Sequence, residues 1–232
     1  MKYRYLLVDN DNTLMDFNLA ERKALTETLE ACGLPADEET CVAYHHINDA
    51  LWKALERGET TQKELKVERF ARLLARLGRT DLDAVDVAAR YAGQLATHDD
   101  LLPGALELLE TVHGRMKVAL VSNGVSSIQR GRLSRSPMLP LLDAVIISEE
   151  IGVSKPDPRM VEAALTALGC EDRSQAVLLG DSLTADIPAA IAAGVDSIFL
   201  DHRGQGSAAA TYTVSSLTEA RALLQDFLQA VD

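Results

Sequence analysis

Short apolar runs recur along the chain and predict the strands of a sheet. The runs cover Tyr3 to Asp9, Lys117 to Ser122, Leu142 to Ser148, Ala176 to Asp181 and Ser197 to Asp201, with a weaker one at Tyr212 to Ser215. Their lengths, together with the turn-forming residues that bound several of them, are typical of buried strands rather than of helices.

Between the later runs, apolar residues recur at the spacing of one helix face. One set is Ala105, Leu108, Leu109 and Val112, and another is Val161, Ala164, Leu165 and Leu168. Asp157-Pro158 suits the start of the second helix and Gly169 suits its end. This alternation predicts an α/β fold with a Rossmann-like, mainly parallel sheet and helices on both faces.

The segment from about Phe17 to His98 breaks the alternation. It carries helical patterns rich in Ala, Leu, Glu and Arg, and no convincing strand. We interpret it as an inserted all-helical domain, which is consistent with common domain sizes. The predicted organisation is a sheet-containing core at residues 1–16 and 99–232, with a helical cap at residues 17–98.

Polar residues follow four of the predicted strands, where open parallel sheets bind their ligands. These residues are Asp9-Asn10-Asp11-Asn12-Thr13, Ser122-Asn123-Gly124, Lys155-Pro156, and Gly180-Asp181 with Asp186 a few positions later. The sequence therefore predicts that carboxylates, a hydroxyl with nearby amides, and one lysine meet at a single edge of the sheet.

These residue types suit phosphoryl transfer, in which catalysis depends on alignment and charge stabilisation. Asp9 could attack in line, while Asp11 could protonate the leaving oxygen and then activate water. Clustered carboxylates repel one another unless a cation joins them. We therefore expect Mg²⁺, held by Asp9, the backbone carbonyl of Asp11, and Asp181.

A second group of residues is expected to bind phosphate or substrate. Lys155 would neutralise phosphate oxygens, and Ser122 would hydrogen-bond them together with nearby amides. The full set comprises Thr13, Ser122, Asn123 and Lys155. Each residue taken alone has an ordinary structural explanation, such as a turn, a helix cap or a surface lysine. The order of all of them at successive strand ends favours a site.

Composition excludes several classes of function. The 232 residues include no long apolar run and no secretory signal pattern, so we predict a cytoplasmic protein with no membrane partner. The formal net charge of −12 disfavours binding to a nucleic acid polymer. A small phosphorylated metabolite remains compatible, because a bound cation can reverse the local potential. The three cysteines suggest neither disulfides nor a thiolate metal site.

The four ordered motifs resemble those of the haloacid dehalogenase superfamily, and the helical insertion lies where that superfamily places its cap. The resemblance implies that Asp9 is the nucleophile, Asp11 the acid and base, and Asp181 a metal ligand. Asp186 would support the metal or Lys155. Asp11 favours a phosphatase, because the dehalogenase branch lacks an acid at that position. Asn12 replaces the usual glycine and leaves every reacting group in place.

Further segments are similar to the pyrimidine 5′-nucleotidases of the YjjG type. They are residues 9–17, Leu51-Trp52 with Gly58, Arg69-Phe70, and residues 147–156. The resemblance implies hydrolysis of nucleoside monophosphates such as UMP, dUMP or dTMP. Substrate choice would come from the cap, which can close over the site. The candidates there are Phe17, His46, Asn48 and Trp52.

Other functions stay open at this point. A sugar-phosphate or phosphoglycolate phosphatase, or a phosphomutase, would keep the same core with a different cap. A receiver-type switch would keep a phosphorylated aspartate rather than turn it over, but the order of the motifs and the insertion argue against it. No P-loop or serine hydrolase motif occurs. We expect a monomer or a weak homodimer.

Overall fold

The structure, a computed structural model, describes residues 1–229. Each predicted apolar run contains or overlaps a strand. The strands are β1 (Tyr5–Val8), β2 (Lys117–Ser122), β3 (Ala144–Ile147), β4 (Ala176–Gly180), β5 (Asp196–Leu200) and β6 (Tyr212–Val214). They form one sheet in the order β3-β2-β1-β4-β5-β6, and every neighbouring pair is parallel. The predicted α/β fold is confirmed.

Helices fill most of the connections between these strands. Within residues 1–229 the α-helices are α1 (Phe17–Ala31), α2 (Glu38–Glu56), α3 (Gln62–Arg76), α4 (Ala84–Leu95), α5 (Ala105–Val112), α6 (Ser126–Arg135), α7 (Ser148–Ile151), α8 (Arg159–Leu168), α9 (Asp186–Ala193) and α10 (Leu217–Gln229). Two short 3₁₀ turns cover Leu139–Leu141 and Arg173–Gln175. None of these described helices has the length and apolar character that a bilayer crossing requires.

The central strand β1 alternates its side chains between two hydrophobic layers, as pleating requires. Leu6 and Val8 pack into a layer that includes residues of α5 and α10, whereas Leu7 packs with residues of α8 and α9. Strand β1 pairs with β2 on one side and β4 on the other. The carboxyl ends of these three strands therefore lie side by side.

Contacts divide the chain into two units. Within the described residues, the sheet-containing unit comprises residues 1–17, 100–126 and 133–229. Within it, the chain segments on either side of the insertion pair with each other. The backbone N–H of Asp16 donates to the carbonyl of Asp100 at 2.9 Å, and that of Leu102 donates to the carbonyl of Leu14 at 2.9 Å.

The second unit is helical and comprises residues 18–99 together with residues 127–132. Its centre is aromatic, and the rings of Tyr44, Phe70 and Tyr91 have centroids 5.2–5.6 Å apart. Residues 127–132 join this unit although they belong to α6. There, Arg132 is fully buried and its Nε donates to the carbonyl of His98 at 2.8 Å.

Candidate active site

Lys155 lies at the centre of a buried charged cluster in the sheet-containing unit. Its Nζ donates to Asp9 Oδ1 at 2.6 Å, to Asp186 Oδ1 at 2.6 Å and to the carbonyl of Val121 at 2.7 Å. These bonds use all three donors of an ammonium group. Burial alone would lower the pKa of Lys155, but the attraction of Asp186 and Asp9 raises it above its ordinary value. These two carboxylates therefore favour the charged form of Lys155.

The backbone of Lys155 is fixed by Asn123. The side-chain Nδ2 of Asn123 donates to the carbonyl of Lys155 at 2.8 Å, and the N–H of Lys155 donates to Asn123 Oδ1 at 2.7 Å. The peptide bond between Lys155 and Pro156 is cis. Asn123 thus joins the turn after β2 to the loop that carries the lysine, and its side chain acts on Lys155 in this structure.

Three carboxylates belong to this cluster. Oxygens of Asp9, Asp181 and Asp186 lie within 4.8 Å of one another. Burial raises the pKa of Asp9 well above its ordinary value, and repulsion from Asp186 and Asp181 adds to this despite Lys155. Burial, with repulsion from Asp186, raises the pKa of Asp181 to about 6. The donor set is all oxygen and carries uncompensated negative charge, so it fits a hard divalent cation.

Asp186 is placed by its position at the start of α9 and by a nearby glycine. Its Oδ2 accepts the N–H of Ser182 at 3.0 Å, and its side chain is 1% exposed. A Cβ added at Gly180 would lie 2.3 Å from the carboxyl carbon of Asp186. Only a residue without a side chain leaves room for the carboxyl group at this point.

The turn after β1 contains the other predicted catalytic residue. Asp11 is half-buried in this turn, and the following Asn12 has a positive φ of 60°. Thr13 is fully buried, and its Oγ1 lies 3.5 Å from Asp181 Oδ1. The turn therefore brings Thr13 towards the metal-ligand candidates and leaves Asp11 partly accessible.

Ser122 ends β2 and is 1% exposed. Its Oγ accepts the N–H of Gly124 at 3.1 Å. This bond orders the turn after the strand, where backbone N–H groups could meet an anion.

The candidate substrate residues on the helices occupy different environments. Phe17 opens α1 and is half-buried, as is Trp52 on α2. His46 is exposed and lines an open groove of about 470 Å³ together with Val42 and Arg72.

Asn48 differs from those residues because its amide group is engaged inside the helical unit. It is 4% exposed, its Nδ2 donates to Glu21 Oε1 at 2.7 Å, and its Oδ1 accepts from Arg69 Nη1 at 3.1 Å. His45 Nδ1 lies 2.9 Å from the other carboxylate oxygen of Glu21. A single Glu on a helix is usually a surface charge, so the sequence held no signal for this buried network.

The chain belongs to the haloacid dehalogenase-like hydrolases. The sequence profile of that family matches residues 3–194, a range that contains the strands β1 to β4 and all the residues of the charged cluster. The protein is therefore a hydrolase of this family.

Two relatives are similar to this chain over nearly its whole length. The chain is 35% identical over 236 residues to the pyrimidine 5′-nucleotidase PynA of Streptococcus pneumoniae, covering 100% of this chain and 96% of that protein. It is 32% identical over 227 residues to the pyrimidine 5′-nucleotidase YjjG of Escherichia coli, covering 97% and 99% respectively.

A solved structure is also similar. The putative hydrolase YfnB of Bacillus subtilis, in a crystal form bound to magnesium, superposes with a TM-score of 0.89 at 30% identity. The match covers 97% of this chain and 99% of that one.

Proposed function

We propose that this hydrolase is a Mg²⁺-dependent phosphatase that cleaves pyrimidine nucleoside 5′-monophosphates through an aspartyl-phosphate. The observation that carries the proposal is the contact between Lys155 and Asp9, with Asp181 and Asp186 beside them. The near full-length similarity to PynA and YjjG supports the substrate class. A cytoplasmic location and a monomeric or weakly dimeric state stay predictions.

In the first step, Asp9 attacks the phosphorus of the monoester. Because its Oδ1 accepts from Lys155, we assign the attack to Oδ2. The new Oδ2–P bond forms as the bond from phosphorus to the leaving oxygen breaks. Asp11 donates its proton to that oxygen, so the product leaves as a neutral alcohol, the 5′-hydroxyl of a nucleoside.

In the second step, water attacks the phosphorus of the aspartyl-phosphate. Asp11, now a carboxylate, takes a proton from the water as the bond between Asp9 and phosphorus breaks. The products are inorganic phosphate and the original Asp9 carboxylate. Ser122, Thr13 and the amides of the turn that includes Asn123 would hold the phosphate oxygens while both steps occur.

The metal would be held by Asp9, Asp181 and the backbone carbonyl of Asp11, with Asp186 supporting it. When bound, Mg²⁺ supplies positive charge that offsets both the carboxylates and the phosphate oxygens. Lys155 already neutralises one negative charge in the cluster and orients Asp9.

Selection of the base is assigned to residues of the helical segment. Phe17, His46 and Trp52 offer rings or a polar edge to a nucleoside, and base stacking on an aromatic side chain is a general means of recognition. Asn48 would act indirectly, because its amide already bonds Glu21 and Arg69. We therefore propose that Asn48 shapes the helical unit around the other candidates.

The deciding experiment measures phosphate release from nucleoside monophosphates and sugar phosphates, with Mg²⁺ or with a chelator. We expect Mg²⁺-dependent hydrolysis that is fastest for UMP, dUMP or dTMP. The Asp9→Asn variant should release no phosphate and should keep its circular dichroism spectrum, because only the nucleophilic oxygen is lost.

Other outcomes would redirect the proposal. Preference for a sugar phosphate, or conversion of one sugar phosphate to another, would keep the mechanism and reject the pyrimidine substrate. A stable phosphorylated Asp9 without turnover would indicate a receiver-type switch. Equal phosphate release by Asp9→Asn would overturn the assignment of the nucleophile.

A further inference from the structure

A histidine outside the predicted site touches the turn that carries Asp11. His202 lies two residues after the end of β5, and its Nε2 lies 2.8 Å from the backbone carbonyl oxygen of Asn12. The carbonyl can only accept, so the imidazole donates an N–H in this bond. The contact joins residues 190 positions apart in sequence.

Asn12 has an unfavourable backbone conformation that hydrogen bonds stabilise. Its φ of 60° is in the left-handed region, which costs free energy for residues other than glycine, although Asn tolerates it better than most. Its N–H donates to the carbonyl of Met15 at 2.8 Å, and its carbonyl accepts from His202. Both peptide groups that flank this strained residue are therefore fixed by hydrogen bonds.

His202 is itself placed by the residue before it. The Asp201 carboxylate is buried and accepts the backbone N–H groups of Arg203, Gln205 and Gly206 at 3.2, 3.0 and 2.7 Å. The N–H of Asp201 donates to the carbonyl of Val214 in β6 at 2.8 Å. The loop after β5 is thus tied into a closed turn, and the imidazole belongs to its second residue.

We infer that His202 is a positioning residue for Asp11, the acid and base of the proposed reaction, and the inference rests on that proposed function. Asp11 and Asn12 share a peptide bond, so the hydrogen bond that holds the left-handed turn at Asn12 also sets the direction of the Asp11 side chain. Losing the bond lets the turn relax, and the carboxyl group then meets the leaving oxygen less often.

This role has a specific chemical signature. An alkyl leaving oxygen, such as the 5′-oxygen of UMP, departs as a strong base and needs a proton from Asp11. The leaving oxygen of 4-nitrophenyl phosphate departs as a stable phenolate and needs none. The quantity kcat/KM covers the steps up to formation of the aspartyl-phosphate, so it excludes the later attack of water.

The test compares kcat/KM for these two compounds in His202→Leu and in the wild-type protein. We expect a loss of about tenfold for UMP, since a small misplacement of a catalytic group is costly, and a change below about twofold for 4-nitrophenyl phosphate. His202→Gln retains a side-chain N–H donor and should recover part of the UMP activity. His113→Leu, at an exposed histidine that follows α5, is the matched control and should leave both values unchanged.

Each remaining outcome overturns the inference. Equal losses on both compounds would indicate a role in phosphate or metal binding, and unchanged kinetics in His202→Leu would show that the bond positions nothing. A fall in the unfolding midpoint together with equal losses would indicate a purely structural role. A wild-type protein that hydrolyses neither compound would overturn the proposed function, and this inference with it.

Discussion

The ammonium of Lys155 lies 2.6 Å from a carboxylate oxygen of Asp186, and the two side chains are 2% and 1% exposed. An ion pair this deeply buried does not by itself add much stability, because desolvating both charges is costly. Removing one partner is strongly destabilising, since the other charge then stays buried and uncompensated. Lys155 therefore links the stability of the core to the orientation of Asp9.

Lys155→Met should lower both stability and activity. We expect the free energy of unfolding to fall by about 3–5 kcal/mol, because the buried carboxylates lose their counter-charge. The value of kcat/KM should fall by at least about 100-fold, because Asp9 loses the positive charge that orients it. Urea unfolding and phosphate release measure the two effects.

Lys117→Met is the matched control for that variant. Lys117 pairs with Asp143 at 2.7 Å, but its side chain is 62% exposed. A surface pair of this kind contributes little to stability, because solvent screens it. Similar costs for the two lysine variants would contradict the argument from burial.

Gly180→Ala should disturb the cluster without changing any charge. The added Cβ would lie 2.3 Å from the carboxyl carbon of Asp186, so that side chain has to move away from Lys155. We expect a cost of about 1–3 kcal/mol, as for other overpacked sites, and a clear loss of kcat. Gly93→Ala lies inside α4, where the added Cβ would meet no atom within 4 Å beyond its chain neighbours and the backbone of its own helix, so it should instead stabilise by up to about 1 kcal/mol. Stabilisation by Gly180→Ala would show that the close contact does not constrain the site.

Metal binding should be visible without any substrate. A ligand that binds only the folded state raises the apparent stability, so Mg²⁺ should raise the melting temperature of the wild-type protein and a chelator should reverse the rise. Asp181→Asn should reduce the Mg²⁺-dependent shift by most of its size, because one ligand loses its charge. Asp226→Asn, at an exposed position of α10, should leave the shift intact. An unchanged shift in Asp181→Asn would remove Asp181 from the ligand set.

Glu21→Gln should make the helical unit less sensitive to pH. Burial raises the pKa of Glu21 above 4.5, although His45 opposes this. The fold therefore favours the protonated carboxyl, and that advantage is lost as the pH rises through the raised pKa. Below about pH 4.5 the variant and the wild type should have the same free energy of unfolding. Near pH 8 the variant should have the larger free energy of unfolding, because only the wild type then buries a charged carboxylate.

The control at Glu38 should show the opposite sign. Arg22 holds the pKa of the exposed Glu38 below 4.5, so the stabilisation is present at higher pH and lost as the pH falls through the lowered pKa. Glu38→Gln should therefore be the less stable protein near pH 8. Denaturant unfolding across the pH range measures both variants, and parallel curves for Glu21→Gln and wild type would refute the first prediction.

Much of the sheet could be predicted because buried parallel strands are continuous apolar runs. The run from Tyr3 to Asp9 contains β1, and Gly169 ends α8 with a positive φ of 69° as expected of a C-terminal glycine. The sequence also predicts that Asp9, Lys155 and the later aspartates lie close together, since polar residues at the carboxyl ends of parallel strands share one edge of the sheet. Their roles in catalysis stay predictions.

The features that were missed depend on tertiary contacts. Residues 127–132 group with the helical unit, although their sequence continues an ordinary helix of the core. Asn48 has the polarity of a substrate contact, yet Glu21 and Arg69 engage it inside the helices. His202 lies beyond the carboxyl end of a strand, as Asp181 does, so its place at this edge of the sheet is predictable from the sequence, whereas its contact with Asn12 depends on the tertiary structure.

The position of Asp9 at the end of the central strand also determines how its surroundings respond to heat. The backbone N–H of Asp9 donates to the carbonyl of Leu179 at 2.9 Å, which continues the pairing of β1 with β4 beyond Val8. Amides in a central strand exchange their hydrogens with solvent only when the whole sheet opens. Asp9 should accordingly unfold together with the sheet in one cooperative transition, whereas the loop that holds His202 can open first.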